Sequence, residues 1–410
     1  MRVLRGFGIF VGVLVILAVG LYGPATLLAP LPPATMTAHT VQLDSDGTPP
    51  ALPDDGASAI AESSEGPVIA RAGDDAPLPM AGIAKVITAL VVLDEKPMED
   101  DGDGETVPIT SRDFVRFTDY RDAGARVVTV YTDDTWSQRA VLQAVLLGSS
   151  NNLADTLAAW AFGSVDAYVD AATTWLAENG LDETTVVDAT GLSPDDVSTA
   201  SDLSLLAALA MDNPVIPGVL SGEVTGIAET RGVENTTAYM SDRGVTGISR
   251  SFTTQAGICL LFAATVTVDD SDYVFYGALI RMPDWDSLDD AMTALMDSAE
   301  AGVHSGPVLP EDTPVATFTT PWGERAKGVI GSSATATRWV AGEPTVHVET
   351  DGVTLATRGD IVATATVSHG ASTVEVPVKI DGTMHAPDVW WRIGHPIELI
   401  PAFVTQLFGG

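Results

Sequence analysis

The chain has 410 residues, 46% of them apolar, with 20 cationic and 55 acidic side chains and a formal charge of −35. That is room for two or three domains with real cores, and the acidity excludes nucleic-acid binding, which needs a basic footprint, and adhesion to anionic lipid beyond any anchor. A single cysteine, Cys259, excludes an intrachain disulfide and a cysteine-based metal site; within ICLLFAATV it reads as a small buried hydrophobe.

At the N-terminus, MRVLRG carries Arg2 and Arg5, and an uncharged apolar run extends from Phe7 to Pro30. At about 1.5 Å per residue it reaches across a bilayer core of about 30 Å. Arginines before it and acids after it place the N-terminus inside and the rest outside. It reads as a retained anchor or as a cleaved signal peptide, and either way the bulk of the chain is exported. Residues 31–66, including SDGTPPALPDDG, read as an extracytoplasmic linker.

From about Pro67 to Val303 helical and strand patterns alternate. The stretch PMAGIAKVITAL, Pro79 to Leu90, opens a helix with Ile83, Ile87, Leu90 and Val91 at helical spacing. Gly82 and Lys85 lie one turn apart on one face, where a serine at 82 would have a lysine beside it to take its proton. Alone, the stretch is a helix start with a glycine cap and a surface lysine. Glu99 to Glu105, EDDGDGE, lacks the EF-hand ligand pattern and reads as a solvated acidic loop. Asp133 or Asp134 is the expected cap of a helix through Leu147, which GSSNN then breaks. Ser149, Ser150, Asn151 and Asn152 fall at that helix–helix corner, where capping alone would explain them. Ile258 to Val268 and Tyr273 to Ile280 read as an antiparallel hairpin around DDSD. The polar GVTGISRSFTTQAG before it reads as an edge strand, with Gly244 and Gly247 allowing close backbone approach.

From Ser305 to about Met384 short Val/Thr-rich runs broken by Gly and Pro read as an all-β, sandwich-like module over residues 305–386. The apolar tail, residues 387–410, is too interrupted for a second span; it packs on a domain or lies at a membrane surface. Six scattered histidines without HExxH spacing, and no glycine-rich phosphate loop, give no cofactor or metal site.

Taken together, AGIAK, SSN and the strand before QAG resemble the serine D-alanyl-D-alanine carboxypeptidases, the low-molecular-weight penicillin-binding proteins. That family carries Ser-x-x-Lys at a helix start, Ser-x-Asn at a helix corner and Lys-Thr-Gly on a strand, in that order. DATGLS…STASDLSLLAALA, Asp188 to Ala210, and NTTAY at Asn235 add to the resemblance. It implies an α+β fold of residues 67–304: an antiparallel sheet flanked by helices with a helical insertion, followed by the small β domain. It also implies which positions carry chemistry. Gly82 stands at the nucleophile position, Lys85 keeps the family's lysine, and Ser149 and Asn151 match the second motif. Ser249, Arg250 and Ser251 stand where Lys-Thr-Gly should be; Val245-Thr246-Gly247 fits that motif less well by its distance to Gly257. Two altered motifs imply a catalytically impaired or inactive homologue at the cell-wall face, one that binds peptidoglycan stem peptides or a cell-wall protein through a cleft where Arg250 pairs with a terminal carboxylate. The competing readings are an active carboxypeptidase with Ser149 as displaced nucleophile and Lys85 as base, and a scaffold acting through the β module.

Overall fold

The structure, a computed structural model, describes residues 10–16, 18–41, 47–333, 335–339, 345–369 and 372–408. The chain forms two compact units, one of Ser45–Ser305 with Thr337–Gly342, the other of Met1–Asp44, Gly306–Ala336 and Glu343–Gly410. The strands of the two main sheets, in chain order, are β1 (Thr35–Ala38), β2 (Ala57–Ala61), β3 (Val68–Gly73), β4 (Val245–Thr253), β5 (Gly257–Val268), β6 (Ser271–Met282), β7 (Pro314–Thr319), β8 (Arg325–Ile330), β9 (Thr345–Glu349), β10 (Ile361–His369) and β11 (Ser372–Asp381).

The first unit is built on a five-stranded antiparallel sheet in the order β3-β2-β6-β5-β4. The expected hairpin is its centre: β5 and β6 meet at Asp269 and Asp270, both with positive φ, the conformation of a two-residue turn that follows strand twist. Alternation along β5 splits its side chains between two cores. Cys259, Leu261 and Ala263 face one core with helices α1 (Ala84–Glu95), α2 (Gln138–Leu146), α3 (Asn151–Phe162) and α4 (Ala200–Asp212). Ile258, Leu260, Phe262 and Ala264 face the other, closed by α5 (Trp285–Gly302) through Leu288, Met292 and Leu295. Helix α1 is buried all round, as a helix apolar on every face must be. Burial pushes the Cys259 thiol up to about 12.

Three expectations need correction. Residues 31–66 are not simply a linker: they contain β1 and β2, and β2 is fully buried between β3 and β6. Its sequence, ASAIA, is alanine- and serine-rich, so strand propensity does not flag it. The cap of α2 is Ser137, whose hydroxyl accepts from the Ala140 N–H, not Asp133 or Asp134. Asp134 instead accepts from the Tyr131 N–H and pairs with Arg231. The sandwich-like module is one curled six-stranded antiparallel sheet, in the order β1-β7-β8-β11-β10-β9, with β9 returning against β7.

In this second unit an apolar helical stretch, Phe10–Leu27, with mean hydropathy 2.1, is long and apolar enough to cross a membrane; a signal sequence has the same character. Arg2 and Arg5 lie outside the described residues. The tail forms two helices, Val389–Gly394 and Pro396–Phe408. Arg392 Nη1 donates to the carbonyls of Leu27 (3.0 Å) and Ala29 (3.2 Å), so the tail packs on the end of the apolar stretch.

Candidate active site

A cleft of about 900 Å³ opens in the first unit, where the start of α1, the corner before α3 and the edge strand β4 converge. Gly82, Lys85, Ser149, Asn151, Arg250 and Ser251 all line it. Ser249 lines a small inner cavity shared with Gly82, Lys85 and Ser149. Three segments far apart in the sequence are thus brought to one place.

Gly82 sits in a 3-10 turn, Ala81–Ile83, that leads into α1 with no side chain capping it. A Cβ built on Gly82 would lie 2.9 Å from Ser251 Cβ, 3.2 Å from Ser251 Oγ and 3.5 Å from Ser149 Oγ. Ser251, and not Gly247, therefore stands against the helix start. Gly247 serves the packing of the chain before β4: a Cβ there would fall 1.9 Å from the Thr237 carbonyl oxygen, so only a glycine lets that segment cross so closely.

Lys85 is not a surface lysine. It is 4% exposed, and its Nζ donates to the Thr190 carbonyl at 2.6 Å. Burial pulls its pKa down to about 8; Asp188 opposes that and Arg126 adds to it. The carbonyl that holds Lys85 is itself fixed by the DATGLS turn. Asp188 accepts from the N–H groups of Thr190 (2.6 Å), Gly191 (2.7 Å) and Ser193 (3.0 Å) and from the Thr190 hydroxyl (2.8 Å). Burial raises the Asp188 carboxyl, but these donors outweigh it and leave it below its ordinary value. Asp155, on α3, is raised by burial and accepts from the Tyr120 hydroxyl at 2.9 Å.

The corner GSSNN divides its labour. Ser150 caps α3 and accepts from Leu153 N–H; Asn152 clamps Val128, accepting from its N–H and donating to its carbonyl, both at 3.0 Å. Capping thus falls to Ser150, leaving Ser149 and Asn151 to face the cleft. Ser149 has φ +49, a left-handed conformation rare for a side-chain-bearing residue. Asn151 Nδ2 donates to the Arg126 carbonyl at 2.9 Å, while its buried Oδ1 has no partner among the described residues.

Arg250 packs between two rings, its guanidinium 5.6 Å from the Tyr239 centroid and 5.3 Å from that of Trp285. The Tyr239 hydroxyl is committed to Asp289 Oδ1 at 2.6 Å. Sequence reasoning missed Trp285 and Tyr239 as walls of the arginine, Thr190 as the anchor of Lys85 and Tyr120 as part of the cleft; of these only Thr190 and Tyr239 lay in stretches with a motif signal.

The family model for D-alanyl-D-alanine carboxypeptidases matches residues 49–274, more than half of the chain. A D-alanyl-D-alanine endopeptidase of Pseudomonas aeruginosa is 28% identical over 218 residues, which are 52% of this chain and 67% of that protein. Among solved structures, penicillin binding protein 6B from Escherichia coli superposes with a TM-score of 0.58 at 15% identity, covering 83% of this chain and 99% of that one. Penicillin binding protein 5 from Haemophilus influenzae gives 0.57 at 16%, covering 82% and 98%. At such identities the solved structures speak for the fold, an α+β penicillin-binding fold with an added β domain. The sequence match carries the assignment further: this chain belongs to the D-alanyl-D-alanine carboxypeptidase family.

Proposed function

We propose that this chain recognises the D-alanyl-D-alanine end of peptidoglycan stem peptides at the outer face of the membrane, with turnover impaired relative to its family. The observation that carries the reading is the state of Arg250. Arg116, Arg231 and Arg243 are each paired with carboxylates. The Arg250 side chain makes no ion pair or hydrogen bond among the described residues; its guanidinium lies against Tyr239 and Trp285 and lines the cleft. A planar guanidinium fixed by rings and free of carboxylates suits a peptide's terminal carboxylate, bound through two parallel N–H donors.

Impairment follows from Gly82. The helix start keeps the base, Lys85, but offers no hydroxyl at the matching position. Where no other hydroxyl takes over, losing a nucleophile of this kind leaves about 10³–10⁴-fold rate over water. The apolar stretch Phe10–Leu27 supports an exported, membrane-attached location.

The test is a titration of the protein with a pentapeptide ending in D-alanyl-D-alanine, followed by calorimetry, with release of D-alanine measured in parallel. Arg250→Ala should weaken binding about 10- to 100-fold, the worth of a charge-assisted pair, and D-alanine release should be slow in both proteins. Equal affinity in the two would sink the reading, as would rapid multiple turnover by the natural chain.

A further inference from the structure

The region beside Gly82 is occupied by a hydroxyl from the opposite wall. Ser251 Oγ lies 3.2 Å from the point where a Cβ at 82 would stand, and Ser149 Oγ lies 3.5 Å from the same point. Ser251 Oγ is buried and has no hydrogen-bond partner among the described residues. Two other polar side chains of the cleft are engaged elsewhere: Lys85 on the Thr190 carbonyl and Thr236 on the Leu147 carbonyl. A glycine on the helix faces a serine on the strand, the reverse of the family's arrangement of serine on the helix and glycine ending the strand motif. From this juxtaposition we infer that Ser251 is the acylatable nucleophile of the cleft, its hydroxyl supplied by strand β4 instead of by the helix.

This goes beyond the binding reading, since it adds a covalent step. Ser251 Oγ attacks the carbonyl carbon of the terminal D-alanyl-D-alanine amide, and the hydroxyl proton passes through one bridging water to the neutral Lys85 amine, which lines the same cleft. The C–N bond breaks, Lys85 returns the proton to the departing nitrogen, and the products are an acyl ester on Ser251 and one free D-alanine. With penicillin the same attack opens the lactam ring. The departing nitrogen stays attached, so the adduct keeps the whole mass of the drug. The lowered pKa of Lys85, about 8, means that part of it is neutral near pH 7 and more as the pH rises.

The experiment incubates the full chain with penicillin, records its intact mass, and maps the adduct by proteolysis. One penicillin per chain on the peptide bearing Ser251 is expected, at a rate that rises with pH and levels off above about 8. Ser251→Ala should abolish the adduct, and Lys85→Met should slow it at least tenfold while removing the pH dependence. An adduct on Ser149 or on any other residue overturns the proposal. So does an adduct that survives Ser251→Ala. Reversible binding of the D-alanyl-D-alanine pentapeptide is measured on the same samples: binding without an adduct overturns the nucleophile and leaves the binding reading standing, while neither binding nor adduct overturns both.

Discussion

Gly82 and Ser251 should behave as one coupled pair. A serine at 82 would place its Cβ 2.9 Å from Ser251 Cβ, about 0.5 Å inside ordinary van der Waals contact. Both atoms belong to short side chains on packed elements, so the strain cannot be relieved by swinging a long chain away. Overpacking of this kind costs about 1–3 kcal/mol. For a unit of this size each kcal/mol lowers the melting temperature by roughly 2–4 °C. Ser251→Gly alone should cost about 0.5–1 kcal/mol, the entropy of a glycine in a strand, reduced by removing a hydroxyl that has no partner among the described residues. The double variant Gly82→Ser, Ser251→Gly relieves the contact, so its stability should exceed the sum of the singles by about 1–2 kcal/mol. Urea unfolding of the four proteins gives this coupling energy. A Gly82→Ser variant as stable as the natural chain, with coupling within about 0.5 kcal/mol of zero, would refute the packing argument, and with it the claim that strand and helix share one position.

Two predictions concern buried charge. Lys85 titrates near 8 folded and at 10.5 unfolded, so between those values the unfolded chain holds a proton the folded one has shed. Stability of the natural protein relative to Lys85→Met should therefore rise from pH 8 upward, by up to about 3 kcal/mol; a flat difference in urea unfolding between pH 7.5 and 9.5 would show that the lysine is solvated. Asp196 behaves in the opposite sense: burial, with Asp188 close by, pushes its carboxyl up to about 7. Between its ordinary value of 3.8 and 7 the folded state holds the extra proton, so stability relative to Asp196→Asn should fall as the pH rises through that window, and a difference that does not change with pH would count against the buried pair.

What was legible in the sequence was what local pattern encodes. The β5–β6 hairpin shows because two apolar runs flank an acidic turn, and the three motifs show because their residues sit at short, fixed spacings. What was hidden depends on distant partners. Lys85 looked like a surface residue because the carbonyl that holds it belongs to Thr190, 105 positions later. The setting of Arg250 was hidden because its walls come from Tyr239 and Trp285, on two other segments. By local pattern alone Ser149 and Ser150 could not be told apart as cap and cleft residue, since both are small and adjacent; only the Ser-x-Asn resemblance pointed to Ser149, whose left-handed φ no propensity predicts. Strand β2 was lost in a proline- and acid-rich neighbourhood because four of its five residues are Ala or Ser and one isoleucine does not make a strand signature.

The acidity of the chain and a carboxylate-binding cleft are compatible once distance is considered. A formal charge of −35 is spread over 410 residues. At physiological salt the field of an exposed charge decays over about 8 Å, so most of the 55 acids contribute little inside a cleft. The charges at the cleft are local: Lys85, Arg126 and Arg250 among the lining residues, with Asp188, Asp155 and Asp196 near Lys85. These three acids act on the buried lysine, and Asp188 is already committed to four donors of its own turn. At Arg250 the neighbours are rings, which fix the guanidinium plane through their faces without using its N–H groups. A long polyanion would have to cross the acidic surface and is repelled. The single carboxylate of the proposed short peptide would meet there an arginine whose side chain has no carboxylate partner among the described residues. The composition is therefore compatible with the proposed ligand, a peptide terminus with a small, singly anionic end.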